Sequence, residues 1–273
     1  MKHLIIRADD FGISYGTIPA ILRGFESGII TCSGVMTNME SAAEACFAAR
    51  ENPQFCFGQD INIATGYPVA NPELIPGMLD ENGRFRRSPL IRKMVKEGKE
   101  PFNYAEVKTE IKAQVDKFIK LVGRKPAYLN GHAFRTPNFS KALIDVAHEY
   151  GLLSMDEIVK GYQLENRGFA SSGAFQHGWY PTENSPQTQL AVDAEAFFLD
   201  HYAELASHET AFLICHPAYI DSGLMDCSSL NLVRMKDVDM VTSPKIMQQL
   251  INDHVDLISI TDFQKLVQEG KAR

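Results

Sequence analysis

At four places in this chain, polar groups capable of chemistry stand where an apolar run ends. Asp9 and Asp10 follow Leu4, Ile5 and Ile6; Asp60 and Asn62 stand among Phe55, Phe57, Ile61 and Ile63; His132 follows Pro126 to Leu129; and His216 follows Ala211 to Cys215. Carboxylates beside neutral imidazoles suit a divalent cation, with oxygen-rich sets favouring magnesium or manganese and imidazole admitting zinc. A cation held by three protein groups leaves positions for water and substrate, and the bound water becomes a far better nucleophile at neutral pH. A further carboxylate can take that water's proton, and a histidine can give one to the leaving group, roles that Asp9 and His216 would fill. Each place alone fits a turn or a hydrogen-bonded strand end. Together they point to metal-assisted hydrolysis.

Such groups must be brought to one place by the elements that carry them. In α/β folds, ligands gather at the carboxyl ends of parallel strands, which is where these four runs would deliver their polar residues. Successive strand residues point to opposite sides, so Asp9 and Asp10 can have different duties. Between the strands, helices are predicted from apolar spacing: Ile18, Ile21, Leu22 and Phe25 before Gly28, an alanine-rich stretch from Ser41 to Arg50, and Val107, Ile111, Val115, Phe118, Ile119 and Val122 before Gly123. Further helices are expected around Phe139 to Ala147, from Leu190 to Leu205 and from Pro244 to Ile251, with a last strand from Val255 to Ile260. Alternating strands and helices predict a parallel sheet with helices outside it.

Two stretches break this alternation. From Thr65 to about Asn103, glycines and prolines such as Gly66, Pro68, Pro72, Pro76, Gly77, Gly83 and Pro101 punctuate an insertion that also carries Arg84, Arg86 and Arg87. These arginines could grip an anionic sugar phosphate, although a solvated loop face explains them more simply. Residues 160 to 186 are again irregular and hold Phe169, Phe175, Trp179 and Tyr180, aromatics that suit a sugar site or anchor a loop to the core.

Composition narrows the classes. The 273 residues, 45% of them hydrophobic, are enough for one large domain with a buried core. A net charge of -7 with no basic stripe argues against nucleic-acid or membrane-surface partners. Cys32, Cys46, Cys56, Cys215 and Cys227 are odd in number and lack paired spacing, so reduced thiols are expected and a thiolate zinc site is not. The chain opens into a strand, and no apolar run reaches about 18 residues, so a cytoplasmic location is expected.

Several segments in order carry a resemblance: ADDFG at Ala8 to Gly12, GIITCSGVMTN at Gly28 to Asn38, GQDINI at Gly58 to Ile63, GRKPAYLNGH at Gly123 to His132, and CHPAYID at Cys215 to Asp221. In these the chain resembles the YdjC-like family of carbohydrate deacetylases, which includes chitooligosaccharide deacetylases. The resemblance implies an α/β fold, an irregular (β/α) barrel of the polysaccharide deacetylase type, spanning 1–273 as one domain with the insertion at about 65–103. It implies that Asp10 and His132 ligate the metal while Asp9 and His216 transfer protons. The remaining family ligand is usually a histidine in a segment like GLHLNL, where this chain has Asp60; an aspartate there adds negative charge and favours magnesium or manganese over zinc. The family's DGHHHVH segment is replaced here by Asn130, Gly131, His132, Ala133, Phe134, Arg135 and Thr136.

The leading expectation is a metal-dependent hydrolase, with magnesium the first choice of cation, that removes N-acetyl groups from a small amino sugar or oligosaccharide, with or without phosphate. The resemblance also implies a homodimer. Two alternatives compete: glycosidic cleavage of a phospho-disaccharide by Asp9 and Asp60, and a non-catalytic sugar-binding protein.

Overall fold

The computed structural model describes residues 1–168, 179–181 and 183–272; Phe169 and Phe175, singled out above, lie outside the described residues. Among the described residues six strands form the sheet: β1 (His3–Phe11), β2 (Cys32–Val35), β3 (Cys56–Ile61), β4 (Leu129–Gly131), β5 (Thr210–Cys215) and β6 (Asp256–Leu257). Their order is β4-β3-β2-β1-β5, every pairing is parallel, and β6 adds to β1 at His3 and Leu4. Strands covered on both faces read as continuous apolar runs, and all nine residues of β1 are buried. The predicted α/β fold with a parallel sheet is therefore the observed one.

The outer edges of the sheet are linked by a short piece of chain. Beyond β4, the Leu129 N–H donates to the Leu153 carbonyl at 3.1 Å; beyond β5, the Phe212 N–H donates to the Arg167 carbonyl at 3.0 Å. Residues 153–167 thus run from one edge to the other.

The early helices are α1 (Thr17–Ser27), α2 (Ala42–Glu51), α3 (Ser88–Lys96), α4 (Tyr104–Val122), α5 (Pro137–Glu149) and α6 (Met155–Tyr162); α1, α2, α4 and α5 lie close to their predicted places, whereas α3 forms inside the insertion expected to be irregular and α6 in a stretch with no predicted helix. In α4, Asn103 caps the first turn by accepting from the Ala105 and Glu106 N–H groups, and Gly123 ends the helix at a φ of 82°. Its stripe Val107, Ile111, Val115, Phe118 and Val122 is fully or almost fully buried.

The 65–103 insertion is packed down. Ala70, Ile75, Met78, Phe85, Ile91 and Phe102 join α4 and α5 in one apolar cluster. Glu110 of α4 accepts from the Val69 and Ala70 N–H groups at 3.0 and 2.9 Å. Arg86 donates to the Pro101 carbonyl at 2.5 Å, Arg84 lies over the Tyr67 ring, and Arg87 is exposed, so these arginines serve the insertion's own structure and its solvated face.

The later part of the chain departs from expectation. Instead of one helix from Leu190 to Leu205 there are α7 (Pro186–Leu190), α8 (Ala194–Asp200) and α9 (Tyr202–Ala206). Asp193 interrupts the run because its side chain caps α8, accepting from the Ala196 N–H at 2.9 Å. After α10 (Ser222–Cys227), α11 (Val233–Val241) and α12 (Pro244–Asn252), the last strand holds only two residues, because Ser259 opens a capping box for α13 (Ile260–Gln268). Helix α11 escaped apolar-periodicity reading for a physical reason: Arg234 and Asp237 are buried in it alongside Val233, Val238, Met240 and Val241, so it has no single apolar stripe.

Candidate functional site

At the carboxyl end of β1 the register against β2 slips between Ala8 and Phe11, and Asp10 takes a φ of 68°. Aspartate is among the few residues that tolerate this region, and such a bulge re-aims side chains. Asp9 and Asp10 consequently turn to different partners, through the bulge and not through strand alternation alone.

Asp9 pairs with Arg7, two residues back on the same side of the strand. The contact is bidentate, Nε to Oδ1 at 2.5 Å and Nη2 to Oδ2 at 2.7 Å. Burial works against the Arg7 charge, but the Asp9 carboxylate outweighs it and the guanidinium is held charged.

Asp10 is fully buried. Its Oδ2 accepts from Arg234 Nη2 at 2.8 Å, and its Oδ1 lies 2.8 Å from His132 Nδ1. Burial alone would raise its pKa, but His132 and Arg234 more than reverse this, so the carboxyl sits well below the usual carboxylate range. Burial opposes the His132 charge in turn, and the Asp10 carboxylate raises that pKa above its ordinary value. The Asp10–His132 contact is close but not aligned as a hydrogen bond, and Oδ1 is left buried without a donor. A buried carboxylate oxygen short of a partner and beside an imidazole nitrogen is a donor pair that fits a divalent cation.

Asp60 lies alongside, fully buried, but engaged differently. Its Oδ2 accepts from the Asp10 N–H at 2.9 Å and its Oδ1 from Asn130 Nδ2 at 2.7 Å. It fits only because residue 34 is glycine: a Cβ there would stand 2.1 Å from Asp60 Oδ1. Burial first, then the nearby Asp9 charge, push its pKa up to about 7 against the pull of Arg7. Among the described residues, no group of three or more His, Cys, Asp or Glu side chains is arranged to hold a metal ion. Asn62 does not join the site. It accepts from the Ala64 and Thr65 N–H groups and donates to Asn38, bracing the start of the insertion.

His216 leaves β5 beside α11. Its backbone N–H donates to Asp237 Oδ2 at 2.7 Å, and its Nδ1 is 3.3 Å from Tyr180 Oη. Asp237 also accepts from Tyr180 Oη at 2.5 Å and from Trp179 Nε1 at 2.7 Å. Burial, reinforced by Asp237, raises the Tyr180 phenol well above its ordinary value, so it remains a donor. Trp179 and Tyr180, read from sequence as pocket aromatics, are thus also the groups that anchor Asp237.

The five expected residues converge at the carboxyl ends of β1, β3, β4 and β5. Arg7, Arg234 and Asp237 were not singled out from sequence. The last two carried one usable signal, an arginine and an aspartate three apart, which a helix places on one face.

The comparisons agree with this architecture. Residues 3–252 match the YdjC-like protein family. A carbohydrate deacetylase of Listeria innocua is 25% identical over 265 residues, covering 96% of this chain and 99% of that protein. A carbohydrate deacetylase of Geobacillus stearothermophilus is likewise 25% identical, over 280 residues, covering 97% and 99%. Among solved structures, one described as a cellobiose-phosphate cleavage protein of Enterococcus faecalis superposes with a TM-score of 0.72 at 23% identity, covering 96% of this chain and 98% of that one, and shows the shared fold. With a match across nearly its whole length, the chain belongs to the YdjC-like family.

Proposed function

We propose that this protein removes N-acetyl groups from small amino sugars or oligosaccharides, using a divalent cation held by Asp10 and His132. The observation that carries this reading is the buried Asp10 Oδ1, which accepts no hydrogen bond and lies 2.8 Å from His132 Nδ1, with Asp9 and His216 brought to the same strand ends. The deacetylase names of the relatives support the reaction class. A cation bound there would polarise the amide carbonyl and make water more acidic.

The chain's own groups supply the proton transfers. Asp9 takes the proton of the attacking water; each of its oxygens keeps a lone pair beyond its bond to Arg7, and the residue retains 9% exposure. Water adds to the acetyl carbon, the carbon–nitrogen bond breaks, and His216 gives a proton to the departing amine. Asp237, through the His216 backbone and Tyr180, keeps that imidazole in place. The products are acetate and the free amino sugar.

Glycosidic cleavage would need Asp60 as the second carboxylate at the substrate. Its full burial and the engagement of both oxygens weigh against that role.

The test is acetate release from N-acetylglucosamine and N,N′-diacetylchitobiose, each with and without a 6-phosphate, in magnesium, manganese, zinc or chelator. Cation-dependent acetate release is expected, with the phosphorylated pair deciding whether phosphate is recognised. Sugar binding without turnover under every cation would overturn the reading in favour of a binding protein. Cleavage of the disaccharide in chelator without acetate would favour the glycosidase.

A further inference from the structure

We infer that Asp60, Asn130 and Arg135 form one directional hydrogen-bond chain, and that it makes Asp60 a positioning residue for Asp10 instead of a third cation ligand. The inference rests on the preceding reading of Asp10 and His132 as the cation's donors.

The chain starts near the surface. Arg135 is tied down by three bonds: Nε to Asp156 Oδ1 at 3.0 Å, Nη1 to the Gly131 carbonyl at 2.5 Å and Nη1 to the Phe134 carbonyl at 2.8 Å. Its Nη2 donates to Asn130 Oδ1 at 3.0 Å. Arginine has only donors, so Asn130 must turn its oxygen towards Arg135 and its amide N–H groups inward. Inward lies Asp60, whose Oδ1 accepts at 2.7 Å. The other Asp60 oxygen takes the Asp10 N–H, which the bulge removes from the strand ladder and which would otherwise be buried without a partner. The polarity of each bond dictates the next, from the exposed Arg135 guanidinium to the backbone of Asp10.

The three members are also three positions at which the chain departs from the family pattern given above. Residues 60 and 130 are partners in the β3–β4 register. A histidine at 60 beside an aspartate at 130 would put the donor on 60 and the acceptor on 130. Here the carboxylate is on 60 and the donor on 130, and Arg135 holds that donor in place. The substitutions are compensated as a set. The cost would fall on a bound cation, for which Asp10 Oδ1 and His132 Nδ1 would be the protein donors. Two protein donors imply weaker binding and little selection for zinc.

The test is a double-mutant cycle of Asp60→His, Asn130→Asp and the pair together, followed by thermal unfolding in chelator and by calorimetric titration with zinc and manganese. Asn130→Asp alone sets two carboxylates face to face, and Asp60→His alone leaves one of the two N–H donors that Asp60 satisfies, Asn130 Nδ2 and the Asp10 backbone, without an acceptor, since a neutral imidazole has a single acceptor nitrogen. Each single change is expected to lower Tm by about 5 °C or more, and the double variant to recover most of the combined loss. The double variant is also expected to bind zinc at least tenfold more tightly than wild type, while Asp60→His alone does not. Asp60→His with Arg135→Met frees Asn130 to turn its oxygen inward and is expected to tighten zinc binding as well, which keeps the inference testable if Asn130→Asp does not fold. Additive losses in Tm, or a tenfold gain in zinc affinity from Asp60→His alone, would overturn it. If wild type binds no cation, the reading of Asp10 and His132 fails, and the Tm coupling measured in chelator still decides whether the chain exists.

Discussion

Arg234 Nη2 lies 2.8 Å from Asp10 Oδ2, across 224 residues of sequence, and both side chains are buried. This pair joins α11 to the end of β1 and puts a fixed positive charge beside the carboxylate assigned to the cation. Removing one member of a buried ion pair leaves the other under-compensated, here with His132 as the remaining charged neighbour of Asp10, at a cost of up to about 3–5 kcal/mol. Arg234→Met is therefore expected to lower the unfolding free energy by roughly that amount in urea denaturation and to abolish acetate release. Lysine should rescue poorly, because Arg234 also donates from Nε to the Leu230 carbonyl at 2.8 Å, and a lysine has one nitrogen for both partners. Full stability in Arg234→Met would refute the structural part.

Asp237 separates positioning from folding. It accepts from Trp179, Tyr180 and the His216 backbone, so Asp237→Asn must turn a donor towards at least one of them. A fall in kcat of at least about tenfold is expected, with KM changed much less, because the group that suffers is the one donating to the departing amine. Tyr180→Phe removes only the phenol and should give a smaller loss in the same direction. A change confined to KM would place these residues in substrate binding instead.

Gly34 is where space is tightest beside the site. A methyl group there would meet the Asp60 carboxylate at 2.1–2.4 Å. Gly34→Ala is expected to destabilise the protein by about 1–3 kcal/mol and to weaken cation binding through displacement of Asp60 and Asp10. An alanine variant with wild-type Tm and wild-type manganese affinity would show that Asp60 is not held as described.

The thiols offer a check on burial that involves no catalysis. All five cysteines are free. Burial pushes Cys46 and Cys227 up to about 11, and raises Cys32, Cys56 and Cys215 as well. A raised thiol pKa means less thiolate at a given pH, so at pH 8 roughly one in a thousand of the Cys46 and Cys227 side chains would be reactive. Iodoacetamide at pH 8 is expected to leave the native protein unlabelled, with labelling of the two rising as pH climbs towards 11 and all five reacting in denaturant. Rapid modification of Cys32 or Cys215 in the native state would contradict their placement in and beside the sheet.

What the sequence determined by itself was the alternation of strands and helices over much of the chain and the polar residues that follow the strands. Short apolar runs, helical stripes such as that of α4, and the position of Asp9, Asp10, Asp60, His132 and His216 after those runs are local properties, and local properties are written in contiguous residues. Only the tertiary structure decided how these groups are used. Whether Asp10 faces His132 depends on a bulge that a register slip against β2 creates. Its charge balance depends on Arg234, which belongs to a helix without an apolar stripe. Asp60 reads as a third ligand by sequence position alone, yet its oxygens are taken by the Asp10 backbone and by Asn130. Hydrogen bonds between segments tens to hundreds of residues apart have no periodicity to betray them. They form only once the sheet has brought their donors and acceptors within reach, and burial then requires that each find a partner.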